Sequence, residues 1–418
     1  DNLAVRWQWP DGTMDEPISA EHLYWPEPAP LHTNFSISAE GEEIILTDVQ
    51  GERMDEFPPL EIPTDISYGR TPDGSENLLF FAQPTPGTAN SQTGYNEVLS
   101  PPEFSHSGGF YNSSFQLALS TDNPGTTIVY TIDSSLPDTE NLSGTTYRYK
   151  NQYRQNPGST SGPFLYRSFQ SYVYNTPLEI YNRSNEENQV SSISTTYDHN
   201  PWYLPNYRVE KAMVVKARAE KEGALPSETV THTYFVTGNG RNPYTLPVIS
   251  FSTGEDNLFD YDKGIYVAGV DFENWRTANP YSQPDGGTTA NYHRRSDEWE
   301  YPAGFEYFDS QGTKKLGQDI GFRIHGGWTR SASLKSLRIY ARSQYGKSHL
   351  NHPFFENQEY DAYKRLILRN SGNDFWHTFF RDAALQEMIK HMNIETQAYQ
   401  PSILFLNGEY WGMQNIRE

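Results

Sequence analysis

The chain of 418 residues contains no cysteine. Disulfide bonds, thiolate nucleophiles and metal sites built on cysteine are therefore excluded. The sequence also lacks any apolar run that approaches the roughly 18 residues needed to cross a membrane. Residues 1–7 show neither the basic nor the apolar segment of a signal peptide, and the first residue is not Met. We therefore expect a processed chain or a fragment of a longer protein.

Positive charge is scarce as well. The chain has 32 Lys and Arg against 53 Asp and Glu, which gives a net charge of −21. Because a nucleic-acid-binding protein needs a basic surface, nucleic acid is not expected as a partner. Hydrophobic residues make up 35% of the chain and aromatic residues 14%, which is enough apolar surface to exclude a disordered chain. The 31 Gly and 28 Pro indicate short strands joined by turns, and the length indicates about three domains.

Residues 1–92 form the first predicted domain, a small β-sandwich. Apolar and polar residues alternate over 35–38, and a further strand is predicted at 43–48. The segments 32–38, 65–70 and 85–90 resemble the second half of a bacterial lamin-tail domain. The opening stretch of that family is missing, so the resemblance implies a domain that is truncated at its N-terminus.

Residues 100–238 form the second predicted domain. Apolar residues alternate with polar ones over 115–120 and 213–220, so each strand is expected to have one buried and one solvated face. The segments 108–111, 130–133 and 227–235 resemble the chitobiase/β-hexosaminidase C-terminal domain, an Ig-like sandwich. An insertion at 144–208 is rich in Tyr and Asn. It is interpreted either as a structured loop over an edge strand or as a surface that stacks on sugars.

Residues 245–418 form the third predicted domain, of the α+β class. Strands are predicted at 246–252, 264–267, 299–308, 320–325 and 336–341. A helix is predicted over 374–392, with Asp374 as its N-cap and a buried apolar stripe that includes Phe380, Ala384 and Met388. It is expected to be the longest helix of the chain, and no helix of more than three turns is expected in 1–92 or 100–238. Asn407-Gly408 predicts a hairpin turn.

A basic segment within this domain is the exception to the acidity of the chain. It contains no Asp or Glu, and its five basic residues are Arg323, Arg330, Lys335, Arg338 and Arg342. Gly326-Gly327 predicts a turn whose backbone N–H groups can approach an anion. A lysine on a strand behind such a turn is the arrangement by which kinases hold nucleotide phosphates. A plain hairpin with arginines on its solvated face explains the same pattern.

The third domain resembles the CotH kinase family, named for a spore-coat protein. The resemblance rests on several short segments in order, at 264–267, 299–300, 323–330, 335–340, 345–346, 368–374, 381–382, 407–412 and 417–418. It implies an atypical protein-kinase-like fold that binds ATP and Mg²⁺ or Mn²⁺. It also implies phosphorylation of Ser or Thr in secreted or spore-coat proteins. Lamin-tail and chitobiase-like modules accompany this family in bacterial surface proteins, which implies an extracellular or cell-surface location.

The resemblance also implies roles for single residues. Lys335 would contact phosphates, with Glu387 on the helix as its partner. Arg323 and Arg330 would shape the turn at Gly326 and Gly327 or neutralise charge. No metal ligand is assigned, and Asn370, Asn373 and Asp374 are interpreted as a capping loop. The catalytic carboxylates are expected after Glu418, so the chain alone is expected to be inactive.

Two functions follow from these patterns. The first is a fragment of a bacterial secreted or surface CotH-type protein kinase, which transfers phosphate from ATP to Ser or Thr of extracellular or coat proteins. The alternative is a non-enzymatic adhesion or carbohydrate-binding protein whose ligand is cell-wall carbohydrate. The expected fold is multidomain, with two all-β Ig-like sandwiches followed by an incomplete α+β kinase-like N-terminal lobe.

Overall fold

The structure is a computed structural model that describes residues 37–38, 41–63, 65–90, 92–356 and 358–418. Residues 32–36 of the lamin-tail resemblance lie outside this set. The chain divides into two compact units, Asp1–Asn96 and Glu97–Glu418. None of the helices in the described part of the chain is both long and apolar enough to cross a membrane.

The first unit consists, where it is described, of two antiparallel hairpins. Their strands are β1 (Ile44–Thr47) with β2 (Arg53–Phe57), and β3 (Ser67–Arg70) with β4 (Leu78–Phe81). The Asp48 carboxylate closes the first turn, because it accepts the backbone N–H groups of Gln50 and Glu52. Phe81 is buried and anchors the second hairpin. The all-β character predicted for this segment is thus confirmed for its described residues.

The second unit begins with eleven strands and two 3₁₀ turns, at Thr139–Asn141 and Val190–Ser192. The strands are β5 (Glu103–Phe104), β6 (Gly109–Tyr111), β7 (Phe115–Leu117), β8 (Leu119–Ser120), β9 (Thr127–Thr131), β10 (Thr145–Tyr149), β11 (Leu165–Phe169), β12 (Tyr172–Val173), β13 (Leu178–Ile180), β14 (Met213–Glu220) and β15 (Val230–Val236). Five of them form one sheet in the order β12-β9-β14-β15-β6. Only the pair of β15 with β6 is parallel in this sheet. The predicted all-β character is confirmed here too.

The central strand of this sheet, β14, is buried on both faces. Val215 and Ala217 pack into the core of the sandwich, as the alternation predicts. The prediction of a solvated opposite face is wrong, because Lys216 is only 2% exposed. Its Nζ donates to the backbone oxygen of Ser252 at 3.1 Å. The second face is therefore covered by the domain that follows, which a strand pattern alone does not reveal.

The rest of the second unit is built around a closed barrel of seven strands. Its elements in chain order are β16 (Val248–Ser252), α1 (Glu255–Phe259), α2 (Gly269–Ala278), β17 (Tyr301–Phe308), β18 (Lys314–His325), β19 (Ser336–Tyr340), β20 (Leu350–Asn351), β21 (Ala362–Tyr363), β22 (Arg365–Arg369), α3 (Arg381–Ile389), β23 (Gln400–Leu406) and β24 (Glu409–Arg417). Short 3₁₀ turns lie at Asn291–His293, Asp297–Trp299, Trp328–Ser331 and Gly372–Asp374.

The barrel order is β16-β17-β18-β19-β22-β24-β23. Neighbouring strands are antiparallel, except that β16 and β23 run parallel and close the ring, with Val248 opposite Ile403. Alternate side chains of the strands fill the interior, among them Phe322, Leu337 and Leu368. The strands predicted near 248–252, 301–308, 320–325 and 336–340 are confirmed. A kinase-like α+β lobe is not confirmed, because the sheet closes on itself and helices are few.

The predicted helix over 374–392 is shorter than expected. It spans only Arg381–Ile389, and α2, which the pattern did not predict, is longer by one residue. The expected apolar stripe is not buried, since Met388 is 70% exposed and Ala383 is the buried residue of the helix. Ion pairs hold α3 in place instead. The carboxylate of Asp382 binds both Arg369 and Arg417 on the adjacent strands.

Two further local predictions have opposite outcomes. The hairpin turn at Asn407-Gly408 is confirmed, with φ of 49° and 79° at the two residues. A Cβ on Gly408 would lie 2.6 Å from the backbone oxygen of Ala212, so the turn also needs glycine for close approach. The strand predicted at 264–267 is wrong. These residues form a buried turn in which Tyr266 is fully enclosed.

Candidate functional site

A group of basic side chains lies on the outer face of three adjacent barrel strands. Arg323 and His325 alternate with the interior residues of β18, Arg338 does so on β19 and Arg369 on β22. Arg338 is directly opposite Arg323 in the ladder. His325 and Arg369 are diagonal neighbours of Arg338 through the pairs His325–Ser336 and Leu337–Leu368. Such neighbours lie within reach of one another on one face of a sheet.

Arg338 is the least constrained member of this group. It is half-buried, yet its guanidinium has no hydrogen bond, ion pair or ring contact with any other residue that the structure describes. Arg323 differs, because it donates to Asp297 at 2.6 Å and to the Tyr340 hydroxyl at 2.7 Å. Arg369 binds Asp382. Arg338 is thus a cation held on a rigid strand with its donors free.

His325 reports on the electrostatics of this face. Burial, followed by the positive charges of Arg338 and Arg330, lowers the pKa of His325 to about 4. Arg369 and the exposed Arg295 act in the same direction. The imidazole is therefore neutral at pH 7 and keeps one N–H donor. We call Arg295, His325, Arg338 and Arg369 the basic face.

Gly326 and Arg330 shape the turn after β18, and Arg295 lies close to this turn. Gly326 has a φ of +112°, a conformation that favours glycine. The Arg330 guanidinium folds back and donates to the backbone oxygens of Gly326, Tyr292 and Arg294, at 2.7, 3.0 and 3.0 Å. Arg330 thus fixes the turn, which is one of the two roles predicted for it. Gly327 is exposed, and a Cβ there would meet open space.

Lys335 does not lie on this face. Its side chain is 0% exposed, just before β19. Its Nζ donates to the backbone oxygens of Arg330 at 2.6 Å and Ala332 at 2.9 Å. The ammonium also lies 4.0 Å from the ring centroid of Tyr292. Burial holds the pKa of Lys335 well below its usual value, and the charge of Arg330 lowers it further.

The partner predicted for Lys335 is elsewhere. Glu387 is an exposed residue of α3 and forms an ion pair with Lys390, one turn along the same helix. The predicted Lys335–Glu387 pair is therefore wrong. The helix packs its ion pairs against β22 and β24, whereas Lys335 points toward the turns at 291–293 and 328–331.

The loop before α3 has the capping role that the sequence suggests. Asp374 accepts the backbone N–H of Arg381, the first residue of the helix, at 2.9 Å. It also binds the backbone and the hydroxyl of Thr378. The buried Asn370 side chain bridges to Ser336 and to the backbone oxygen of Leu334. Both residues therefore stabilise loop geometry.

Sequence reasoning missed Arg295, His325 and Arg369 as members of the basic face, although His325 lies within the basic segment. Arg369 stands in a strand whose alternation with Leu366 and Leu368 signals an outward side chain. Arg295 gives no such signal, because it lies in a turn that only the tertiary fold brings close to Gly326.

These residues fit an anion better than a divalent metal. Arg338 and His325 offer free donors, and Arg295 adds an exposed positive charge. In contrast, the described segments contain no place where three or more His, Asp or Glu side chains could hold a metal ion. A phosphate group fits the basic face, whereas Mg²⁺ or Mn²⁺ finds no matching set of ligands among those residues.

Comparisons with known protein families identify two segments of the second unit. The family model described as CotH kinase protein matches residues 322–418, which include most of the basic face. A model described as Fn3 associated matches residues 117–234. No curated protein matches the chain. The predicted CotH resemblance is thus confirmed over its C-terminal part, while the lamin-tail and chitobiase resemblances are not confirmed.

Proposed function

We propose that the chain is part of a bacterial secreted or surface CotH-type protein kinase and that its basic face binds the phosphates of ATP. The observation that carries this proposal is the half-buried, unpartnered guanidinium of Arg338 inside the segment that matches the CotH model. The donors of Arg338 are engaged by no side chain or backbone group among the described residues, so an anionic ligand can bind them without displacing an internal partner. This assigns the phosphate contact to Arg338 rather than to Lys335.

Each residue of the site has a distinct task in this proposal. Arg338 and Arg295 neutralise the negative charge of the phosphates, and the neutral His325 donates one hydrogen bond. Arg330 and Lys335 do not touch the ligand. They fix the turn at Gly326 through their bonds to backbone oxygens. ATP, when bound, supplies the phosphoryl group that is transferred to a Ser or Thr hydroxyl.

The wider parts of the proposal come from the family. Secreted or coat proteins as substrates, and an extracellular location, are implied by the CotH resemblance. Because the described residues offer no ligand set for a metal, we assign no role to one here.

The phosphate contact can be tested by calorimetric titration of ATP and of inorganic tripolyphosphate into the full chain. Both should bind, with an affinity that falls as salt is added. Arg338→Ala should weaken both by roughly 10- to 150-fold, since a hydrogen bond to a charged group contributes about 1.5–3 kcal/mol. Arg241→Ala is the matched control, because Arg241 is exposed in a loop and its side chain has no described partner. Equal binding by the wild type and Arg338→Ala would contradict the proposal.

A further inference from the structure

A groove of about 560 Å³ opens on the insertion that interrupts the sandwich domain. Its lining residues come from two stretches of the insertion, 151–165 and 200–204, and include Gln152, Pro163, Asn200, Pro201, Trp202 and Leu204. The volume lies in the range of small-ligand sites. We call this feature the aromatic groove.

A pair of exposed tryptophans marks the aromatic groove. Trp202 lines it and is 74% exposed, and Trp376, from the loop before α3, is 64% exposed. Their ring centroids are 5.7 Å apart with an interplanar angle of 33°. Two exposed indole rings in contact with each other form a larger aromatic surface than a single exposed side chain does, and such surfaces are suited to contact with a ligand.

The backbone around Trp202 is held in place by its neighbour Tyr203. The Tyr203 hydroxyl accepts the backbone N–H groups of Thr195 at 2.8 Å and Thr196 at 3.1 Å. At the floor, Asn151 bonds to the backbone of Ser192 and Ser194. The groove is therefore preformed, and a ligand would not have to order it.

The chemistry of the lining is neutral. No Asp, Glu, Lys, Arg or His lines the groove, although 20% of the chain is charged. The side-chain amides of Gln152 and Asn200 have no hydrogen-bond partner among the described residues. An amide offers both donors and an acceptor, which matches a hydroxyl group. An aromatic surface beside free amides is complementary to a neutral ligand with one apolar face and many hydroxyls.

We infer that the aromatic groove binds a neutral oligosaccharide. A β-linked gluco-configured sugar has axial C–H bonds on both faces of its ring, so that a face can stack on Trp202, and its equatorial hydroxyls point outward from the ring edge toward the amides of Gln152 and Asn200. A peptide fits less well, because the lining supplies no charge for its termini or side chains. This site is separate from the basic face and does not depend on phosphate binding.

The test uses cellohexaose and chitohexaose as probes, titrated into the full chain by calorimetry and by tryptophan fluorescence. At least one of them should bind and quench or shift the emission. Trp202→Ala should weaken binding roughly tenfold, as truncation of a central aromatic contact does. Trp202→Phe should retain part of the affinity. Because the ligand is neutral, added salt should leave the affinity unchanged.

The matched control is Tyr281→Ala, since Tyr281 is 88% exposed and does not line the groove. It should bind the sugars like the wild type. All variants should keep the wild-type melting temperature, because their altered side chains are exposed. ATP binding should be unaffected by Trp202→Ala, which separates this test from that of the basic face. Failure of both sugars to bind, or full binding by Trp202→Ala, would overturn the inference, as would selective binding of a peptide to the groove.

Discussion

Replacing Lys335 by Met separates a structural role of this lysine from a role in binding phosphate. The fully buried Nζ donates to the backbone oxygens of Arg330 and Ala332. Met has a similar length and no donor, so the substitution changes chemistry more than volume. It leaves two carbonyl groups without their donor.

The expected cost follows from these contacts. A buried polar group that loses its partner costs about 1–3 kcal/mol. The cation over the Tyr292 ring adds about 0.5–2 kcal/mol. Removing the buried ammonium also removes its desolvation cost, which by itself would stabilise the variant. We expect Lys335→Met to lower the free energy of unfolding by a net 2–4 kcal/mol or so.

Urea denaturation followed by tryptophan fluorescence measures this change. Lys364→Met is the control, because Lys364 is exposed and its side chain has no described partner. Its effect should stay within about 0.5 kcal/mol. Where Lys335→Met remains folded, it should still bind ATP. Unchanged stability combined with lost ATP binding would refute the reasoning and return the phosphate contact to Lys335.

Three further predictions concern other parts of the second unit. The pKa of His325 is about 4 in the folded chain and about 6.5 in the unfolded chain. Between these values the unfolded chain binds more protons, so stability is lost as the pH falls from about 6.5 to about 4. His325→Gln should remove up to about 1–2 kcal/mol of the change in unfolding free energy across this pH window, after a discount for solvent screening, as measured by urea denaturation at each pH. Glu306→Ala should cost about 1–3 kcal/mol in thermal denaturation, because it removes the buried acceptor of Thr233 and Lys314, while the ammonium of Lys314 keeps access to solvent. Asp374→Ala should speed hydrogen exchange at the backbone amide of Arg381, because this amide donates its hydrogen bond to the Asp374 carboxylate. Unchanged exchange at Arg381 would contradict the capping role of Asp374.

The sequence predicted best what is decided locally. The Asn407-Gly408 turn and the alternating strand of Ser336–Tyr340 depend on neighbouring residues alone, and both are confirmed. Closure of the barrel depends instead on pairing Val248 with Ile403, residues that are far apart in the chain. Periodicity carries no information on such a contact. Closure of the barrel is therefore not predicted by the sequence.

The candidate site also has one part that the sequence predicts and another part that it does not. The basic segment and its glycine turn were visible in the sequence, and Arg323, Arg330 and Arg338 do lie close together. The burial of Lys335 was not visible, because it requires Tyr266 and Tyr292 from distant turns to enclose it. A lysine that precedes an alternating strand looks the same in sequence whether its end is solvated or enclosed.

Buried contacts between the sandwich domain and the barrel explain why the segments that match the two family models lie in one compact unit. Glu409, which begins the last barrel strand, is 4% exposed and accepts the backbone N–H groups of Gln189 and Ser191 at 2.6 and 2.8 Å. Glu255 accepts Arg167 and the Tyr147 hydroxyl from the same insertion. A barrel without the insertion would lose these bonds, and it would expose the apolar core surface that Tyr147, Val190 and Ile193 of the insertion now cover. Residues 245–418 alone should therefore be much less stable than the intact unit, so the aromatic groove and the basic face are carried by one folding unit.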